Sequence, residues 1–130
     1  MIEEVSIRSK NREQLINVDS HISEAIRKSG IQEGLLTIFV PHTTAGVTIN
    51  ENADPSVVRD ILYELGRVIP RNDQYQHAEG NSDAHIKASL MGNSETVVVS
   101  GGKPLLGIWQ SVYFCEFDGP RTRRMIFSIK

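Results

Sequence analysis

In this 130-residue chain, the side chains best suited to proton transfer or metal binding near neutral pH are four histidines: His21, His42, His77 and His85. His21 opens a helical stretch on its exposed side and reads as a surface residue. His77 and His85 stand eight positions apart in His-Ala-Glu-Gly-Asn-Ser-Asp-Ala-His. That spacing matches no local metal signature such as H-E-x-x-H. Their surroundings are small and polar, with Ala78, Gly80, Asn81 and Ser82 between them, unlike those of a core histidine. With His42 as a third ligand, the set would leave an open coordination position, as catalytic zinc sites do. The same imidazoles serve equally as acid and base without a metal, and spacing does not separate the two.

His42-Thr43-Thr44-Ala45-Gly46 offers hydroxyls, small residues and free backbone N–H groups where the chain leaves a strand. It reads either as an anion-binding turn or as one whose threonines satisfy their own backbone. Gly101-Gly102 is a weaker signal of the same kind. No phosphate-binding loop, dinucleotide glycine pattern, nucleophile elbow or paired CxxC occurs, which argues against a nucleotide cofactor and against triad hydrolysis.

The elements that must position these groups alternate along the chain. Val5 and Ile7, then Leu15, Ile16 and Val18, flank polar Ser9-Lys10-Asn11-Arg12 and predict an opening hairpin. Ser20 to Ser29 predicts a short amphipathic helix carrying Ile22, Ala25 and Ile26 and ending at Gly30. Leu35 to Val40, closed by Pro41, predicts a strand covered on both faces, with His42 at its end. Asp54-Pro55 starts a helix whose Val57, Val58, Ile61, Leu62, Leu65, Val68 and Ile69 keep the helical period until Pro70. Asn81 is expected to cap a further helix, ended by Gly92, with Ile86 and Leu90 on one face and His85 in its first turn. Glu95 to Ser100 predicts another buried strand.

From Leu105 to Phe117 both faces of the predicted strand are mostly apolar. Covering both takes a helix layer plus a second sheet, or a partner subunit, so a symmetric oligomer is expected. Asp118-Gly119-Pro120-Arg121 reads as a type II′ hairpin turn into a strand from Arg121 to Lys130. That turn would set Asp118 opposite Arg121 and Glu116 opposite Arg123, on one face with Gln110. Taken alone, these are two ion pairs at an exposed hairpin tip.

Length and composition set the frame. A chain of 14.5 kDa is one domain, and surface scaling leaves about 7,000 Å² exposed, enough burial for a core without metal or disulfide staples. Mean hydropathy of -0.24 and the absence of long apolar runs exclude a membrane-spanning segment. Fourteen basic against sixteen acidic residues give a net charge of -2, which disfavours a general nucleic-acid or membrane surface and makes any anion site local. The single Cys115 and an N-terminus without a signal-like apolar core make the cytoplasm the expected location.

Three stretches together resemble the YjbQ-like family, an uncharacterised group often labelled secondary thiamine-phosphate synthase. They are HTTAGVTINENADPSV (His42 to Val57), HAEGNSDAHIKASLMG (His77 to Gly92) and SETVVVSGGKPLLGIWQSVYFCEFDGPRTRR (Ser94 to Arg124). The family signature falls on Ser94, Val97, Val99, Gly102, Gly107, Trp109 and Gln110, with Ile108 where threonine is usual. The resemblance implies a single α+β domain over residues 1–130, a mixed or antiparallel sheet sandwich with a few short helices, assembled as a homotrimer. It also implies histidine-lined sites able to hold a divalent metal, zinc or magnesium, through His42, His77 and His85. The candidate catalytic residues it carries over are His42, Glu51, His77, His85, Glu116 and Asp118. Those for substrate or anion binding are Thr43, Thr44, Asn50, Asn81, Gln110 and Arg121.

The implied reaction joins a pyrimidine diphosphate to a thiazole phosphate and releases pyrophosphate. Arg121, with Arg123 or Lys87, would hold phosphate. Three histidines suit zinc better than the magnesium such a synthase normally uses, so this activity reads as a side reaction. The alternatives are a metal-dependent hydrolase or lyase acting on another phosphorylated small molecule, with Glu51 or Glu116 as general base, and a non-enzymatic trimeric module binding metal or anion.

Overall fold

Apolar alternation builds two antiparallel sheets in the computed structural model, which describes all 130 residues. The elements run β1 (Ile2–Arg8), β2 (Gln14–Asn17), α1 (Asp19–Ser29), β3 (Glu33–Phe39), β4 (Ala45–Glu51), α2 (Pro55–Val68), α3 (Ser82–Met91), β5 (Ser94–Ser100), β6 (Lys103–Pro104), β7 (Gln110–Glu116) and β8 (Thr122–Ile129). The larger sheet has the order β1-β8-β3-β5-β6 and the smaller the order β2-β7-β4. This is the expected single-domain α+β architecture, and every pairing in it is antiparallel.

The core lies between the sheets. Leu36 and Ile38 of β3, Val97 and Val99 of β5, and Met125, Phe127 and Ile129 of β8 line the larger sheet's inner face. Val47, Val112 and Phe114 answer from the smaller sheet, and α1 adds Ile22, Ala25 and Ile26. A smaller cluster fills the other face of the small sheet, where Cys115 and Phe117 meet Ala84 and Ala88 of α3, with Leu62 and Leu65 of α2 half-buried against them. α3 lies close to β4 because position 46 is glycine: a Cβ there would stand 2.6 Å from the Gly92 carbonyl oxygen. That carbonyl accepts the Val47 N–H at 3.1 Å.

Several expectations are corrected. The first two strands do not pair as a hairpin, since β1 joins β8 in the large sheet and β2 joins β7 in the small one. Ala45 and Gly46, expected as part of a turn, instead begin the strand Ala45–Glu51, whose remaining residues the sequence pattern assigns to no element. Leu105 to Phe117 is not one strand: β6 ends at Pro104, an exposed turn carries Ile108 and Trp109, and only β7 continues. Both faces of β7 are covered within the chain, by the core and by α3, so its apolar character requires no partner. β3 has only one covered face, with Leu35 and Phe39 exposed. On α3, Ile86 and Leu90 point to solvent, and the buried face carries Asp83, Ala84, Lys87 and Ala88.

The largest correction concerns residues 117–121. β7 and β8 belong to different sheets, so the segment is a crossover rather than a hairpin, and its Gly119–Pro120 bond is cis. The crossover packs tightly on the β1–β2 connection, with the Gly119 N–H donating to the Arg12 carbonyl at 2.9 Å. A Cβ on Gly119 would lie 2.4 Å from the Asn11 carbonyl oxygen and 2.6 Å from Ser9 Oγ. Gly119→Ala should therefore cost about 1–3 kcal/mol in urea denaturation. Unchanged stability would contradict this packing.

Candidate functional site

The site begins with a buried ion pair that spans the two sheets. Glu116 at the end of β7 is fully buried, and Arg123 near the start of β8 is 4% exposed. Arg123 Nε donates to Glu116 Oε1 at 2.9 Å, and Nη2 donates to Oε2 at 2.5 Å. Nη2 also donates to Thr44 Oγ1 at 2.8 Å, which ties in the strand bearing the His42 turn. The carboxylate accepts further bonds from the Ser9 hydroxyl at 2.7 Å and the Asp118 N–H at 3.0 Å. Burial alone pushes Glu116 up, but Arg123, Ser9 and the Asp118 amide outweigh it and hold the carboxyl below its ordinary value.

Above this floor lies a cavity of about 410 Å³ with no hydrophobic residue in its lining. His42, Thr43 and Thr44 enter from the β3–β4 turn, Asn81 and His85 from the start of α3, and Asp118, Arg121 and Arg123 from the crossover and β8. Asn81 takes the N-cap position expected of it, but its side chain bonds no helix N–H, and its Nδ2 donates instead to Asp118 Oδ2 at 2.9 Å. Arg121 Nη2 donates to the same oxygen at 3.0 Å. The two predicted acid–base pairs thus exist, but through a crossover between sheets, and one of them is buried.

His42 Nε2 accepts the Arg124 N–H at 3.0 Å. A neutral ring bonded this way carries its proton on Nδ1. Burial first, then the charges of Arg123 and Arg124, lower its pKa, outweighing Glu116 and the Arg124 amide contact. At neutral pH His42 is a neutral donor. The His85 ring makes no hydrogen bond to the protein and stands edge-on to His77, with centroids 5.4 Å apart.

The remaining candidates lie elsewhere. His77 is exposed, 3.6 Å from Glu79, and shares a shallower cavity with Tyr75 and His85. The three histidines form no common ligand set: no group of three or more His, Cys, Asp or Glu is arranged to hold an ion. Asn50, Glu51 and Gln110 sit at the far end of the small sheet, because Ala45 pairs with Glu116 while Glu51 pairs with Gln110. Six residues of strand put them about 20 Å away. Lys87 is buried and donates to Glu13 at 2.8 Å and Asp83 at 3.0 Å, so it cannot serve a phosphate. Arg12 closes that group with paired bonds to Asp83 at 3.0 and 3.1 Å. Sequence reading missed this network; the only hint was the i, i+4 spacing of Asp83 and Lys87 on the alanine face of α3.

A two-sheet α+β domain with a polar, histidine-bearing pocket at one end of the sandwich is therefore the class defined here. The chain belongs to the UPF0047 protein YjbQ-like family, whose model matches residues 3–130. It is 51% identical to UPF0047 protein MJ1081 of Methanocaldococcus jannaschii, over 99% of this chain and 94% of that protein. UPF0047 protein YugU of Bacillus subtilis is 44% identical, over 95% and 94%. Among solved structures, an uncharacterised conserved YjbQ/UPF0047 protein from Clostridium acetobutylicum superposes with a TM-score of 0.97 at 50% identity, covering 98% of this chain and 99% of that one. A YbjQ-like protein of unknown function from Sulfolobus solfataricus gives 0.94 at 27% identity, covering 99% and 95%.

Two measurements probe the floor and wall of the pocket. Glu116→Ala leaves the Arg123 charge buried and unpaired, and should lower unfolding stability by about 3–5 kcal/mol. A loss below about 1 kcal/mol, the range of an exposed pair, would show the pair to be solvated. For His42, the unfolded chain takes up a proton near pH ~6.5 while the folded ring resists it. Its contribution to stability is therefore complete above that pH and is lost as pH falls toward the lowered folded value. Wild type should lose stability relative to His42→Gln between about pH 7.5 and 5.5. A constant difference would contradict a depressed His42.

Proposed function

We propose that the chain is an enzyme acting on a phosphorylated small molecule in the cavity bounded by His42, His85, Arg121 and Arg123. The observation that carries this reading is the convergence of unsatisfied donors on a lining that is polar or charged apart from Pro41. Arg123 Nη1 has no acceptor in the protein, the Thr43 hydroxyl and the His85 ring make no internal hydrogen bond, and the His42 Nδ1–H is free. Each guanidinium is already paired with a carboxylate, so a phosphate is bound by directed N–H groups rather than by surplus charge.

His85 acts as the proton carrier, since its ring is partly exposed and unencumbered. His42 stays neutral and donates to an oxygen on which charge develops. In the transfer that the family resemblance implies, these donors receive the leaving pyrophosphate while the pyrimidine carbon bonds to the thiazole nitrogen. Glu116 is not the base, because its oxygens are occupied by Arg123, Ser9 and the Asp118 amide. The three histidines do not fit a shared zinc ion, and no step here runs through one.

The test is thiamine-phosphate formation from the two precursors, run beside phosphate release from a panel of phosphorylated metabolites. His85→Gln should lower kcat on the accepted substrate about 10²–10⁴-fold, while Glu51→Gln, at the far end of the sheet, should leave it within about twofold. Equal rates for His85→Gln and wild type would remove His85 from the chemistry, and no turnover of any substrate would overturn the enzymatic reading.

A further inference from the structure

The polar cavity does not stand alone. A second cavity of about 520 Å³ shares the walls His42, Thr43 and His85 with it and extends away from the arginines. Its other walls differ in kind. Ala45, Ala88 and Gly92 form a floor of small residues, and Ser89 and Asn93 supply a polar edge. Beside this floor Gly46 leaves no room for a Cβ against the Gly92 carbonyl, and Gly92 itself takes a φ of 89° that favours glycine. The side chain of Asn93 makes no hydrogen bond within the protein, and only its backbone carbonyl is used, by the Val40 N–H at 2.8 Å.

We propose that the two cavities form one cleft for a two-part ligand: an organic phosphate whose phosphoryl group sits at Arg123 and Arg121 and whose neutral, polar body, a pentose or larger, lies in the chamber of Ala45, Ala88 and Gly92. This rests on the phosphate reading above and adds the orientation and the class of the body. Arg123 fixes the head end, because it is a nearly buried side chain that lines the polar cavity and whose Nη1 makes no hydrogen bond within the protein. Each chamber is within the volume range of small-molecule sites and far larger than a phosphate ion needs. A ligand spanning both places the bond next to its phosphate between His42 and His85, the residues common to both walls. No charged side chain lines the second chamber, so its occupant is uncharged.

Calorimetric titration of the full chain with inorganic phosphate, ribose 5-phosphate and ribose tests this directly. Ribose 5-phosphate should bind at least about tenfold tighter than inorganic phosphate, a modest return for an occupied chamber, and ribose alone should bind more weakly than either. Ser89→Trp, a substitution at an exposed helix position, should abolish the gain from the body while leaving inorganic phosphate within about twofold. Arg123→Lys, which keeps a charge beside Glu116 but removes the free Nη1, should weaken both phosphates about tenfold or more. If phosphate binds and ribose 5-phosphate binds no tighter, or if its gain survives Ser89→Trp, the two-chamber ligand is wrong and the phosphate reading stands. If inorganic phosphate and ribose 5-phosphate both fail to bind wild type, the phosphate reading falls and the two-chamber ligand falls with it.

Discussion

The Glu116–Arg123 pair joins the two sheets at the point where the apolar core gives out. Glu116 comes from the small sheet and Arg123 from the large one, and both are buried where the inward-facing positions of β7 and β8 would otherwise continue as hydrophobic residues. Two charges taken from water are tolerated only when further hydrogen bonds satisfy most of their remaining lone pairs and protons. Ser9, Thr44 and the Asp118 amide supply those matches, and they come from the β1–β2 connection, the His42 turn and the crossover. Three separate loops are thus pinned to one carboxylate–guanidinium unit. The pocket walls stand on those loops, so the geometry of the site follows from satisfying the pair.

A second buried charge network fixes the remaining wall. Asp83 and Lys87 lie on the buried face of α3 and meet Arg12 and Glu13 of the β1–β2 connection. Burial opposes ionisation of Asp83, but Arg12 and Lys87 outweigh it and keep the carboxyl below its ordinary value. The same short connection therefore touches both networks, through Ser9 to Glu116 and through Arg12 and Glu13 to α3. His85, two residues after Asp83, thus stands on a helix anchored to the same connection that holds Glu116. Such shared networks are where single substitutions fail to add.

The sequence made one kind of information legible and hid another. Helical periodicity placed α1 and α2, and continuous apolar runs placed β3 and β5, close to their observed bounds. Pairing was not legible. β1 and β2 are adjacent in sequence and in different sheets, and Asp118-Gly119-Pro120-Arg121 has the composition of a hairpin yet carries the chain from one sheet to the other. Turn chemistry describes four residues, whereas the choice of sheet depends on where the whole of β8 finds its partners, beside β1 and β3. For the same reason the ion pairs were anticipated with the right partners and the wrong environment. On α3 the apolar residues Ile86 and Leu90 misled, because the buried face is small and charged, and its charges are satisfied by residues more than seventy positions away.

That balance of charges also limits what the pocket does with a ligand. Arg121 is held by Asp118 and Arg123 by Glu116, so neither offers an uncompensated field to passing anions. A pocket with net positive charge binds substrate, product and buffer phosphate by the same long-range attraction and distinguishes them poorly. Here the available contacts are short-range and directional: one guanidinium edge, one imidazole N–H whose tautomer is set by the Arg124 amide, and one imidazole without a hydrogen-bond partner in the protein. Interactions of that type strengthen only when an oxygen arrives at the right distance and carries growing charge. The net charge of -2 over the whole chain is thus no obstacle to the proposed anion binding, which relies on where the N–H groups point rather than on how many positive charges surround them.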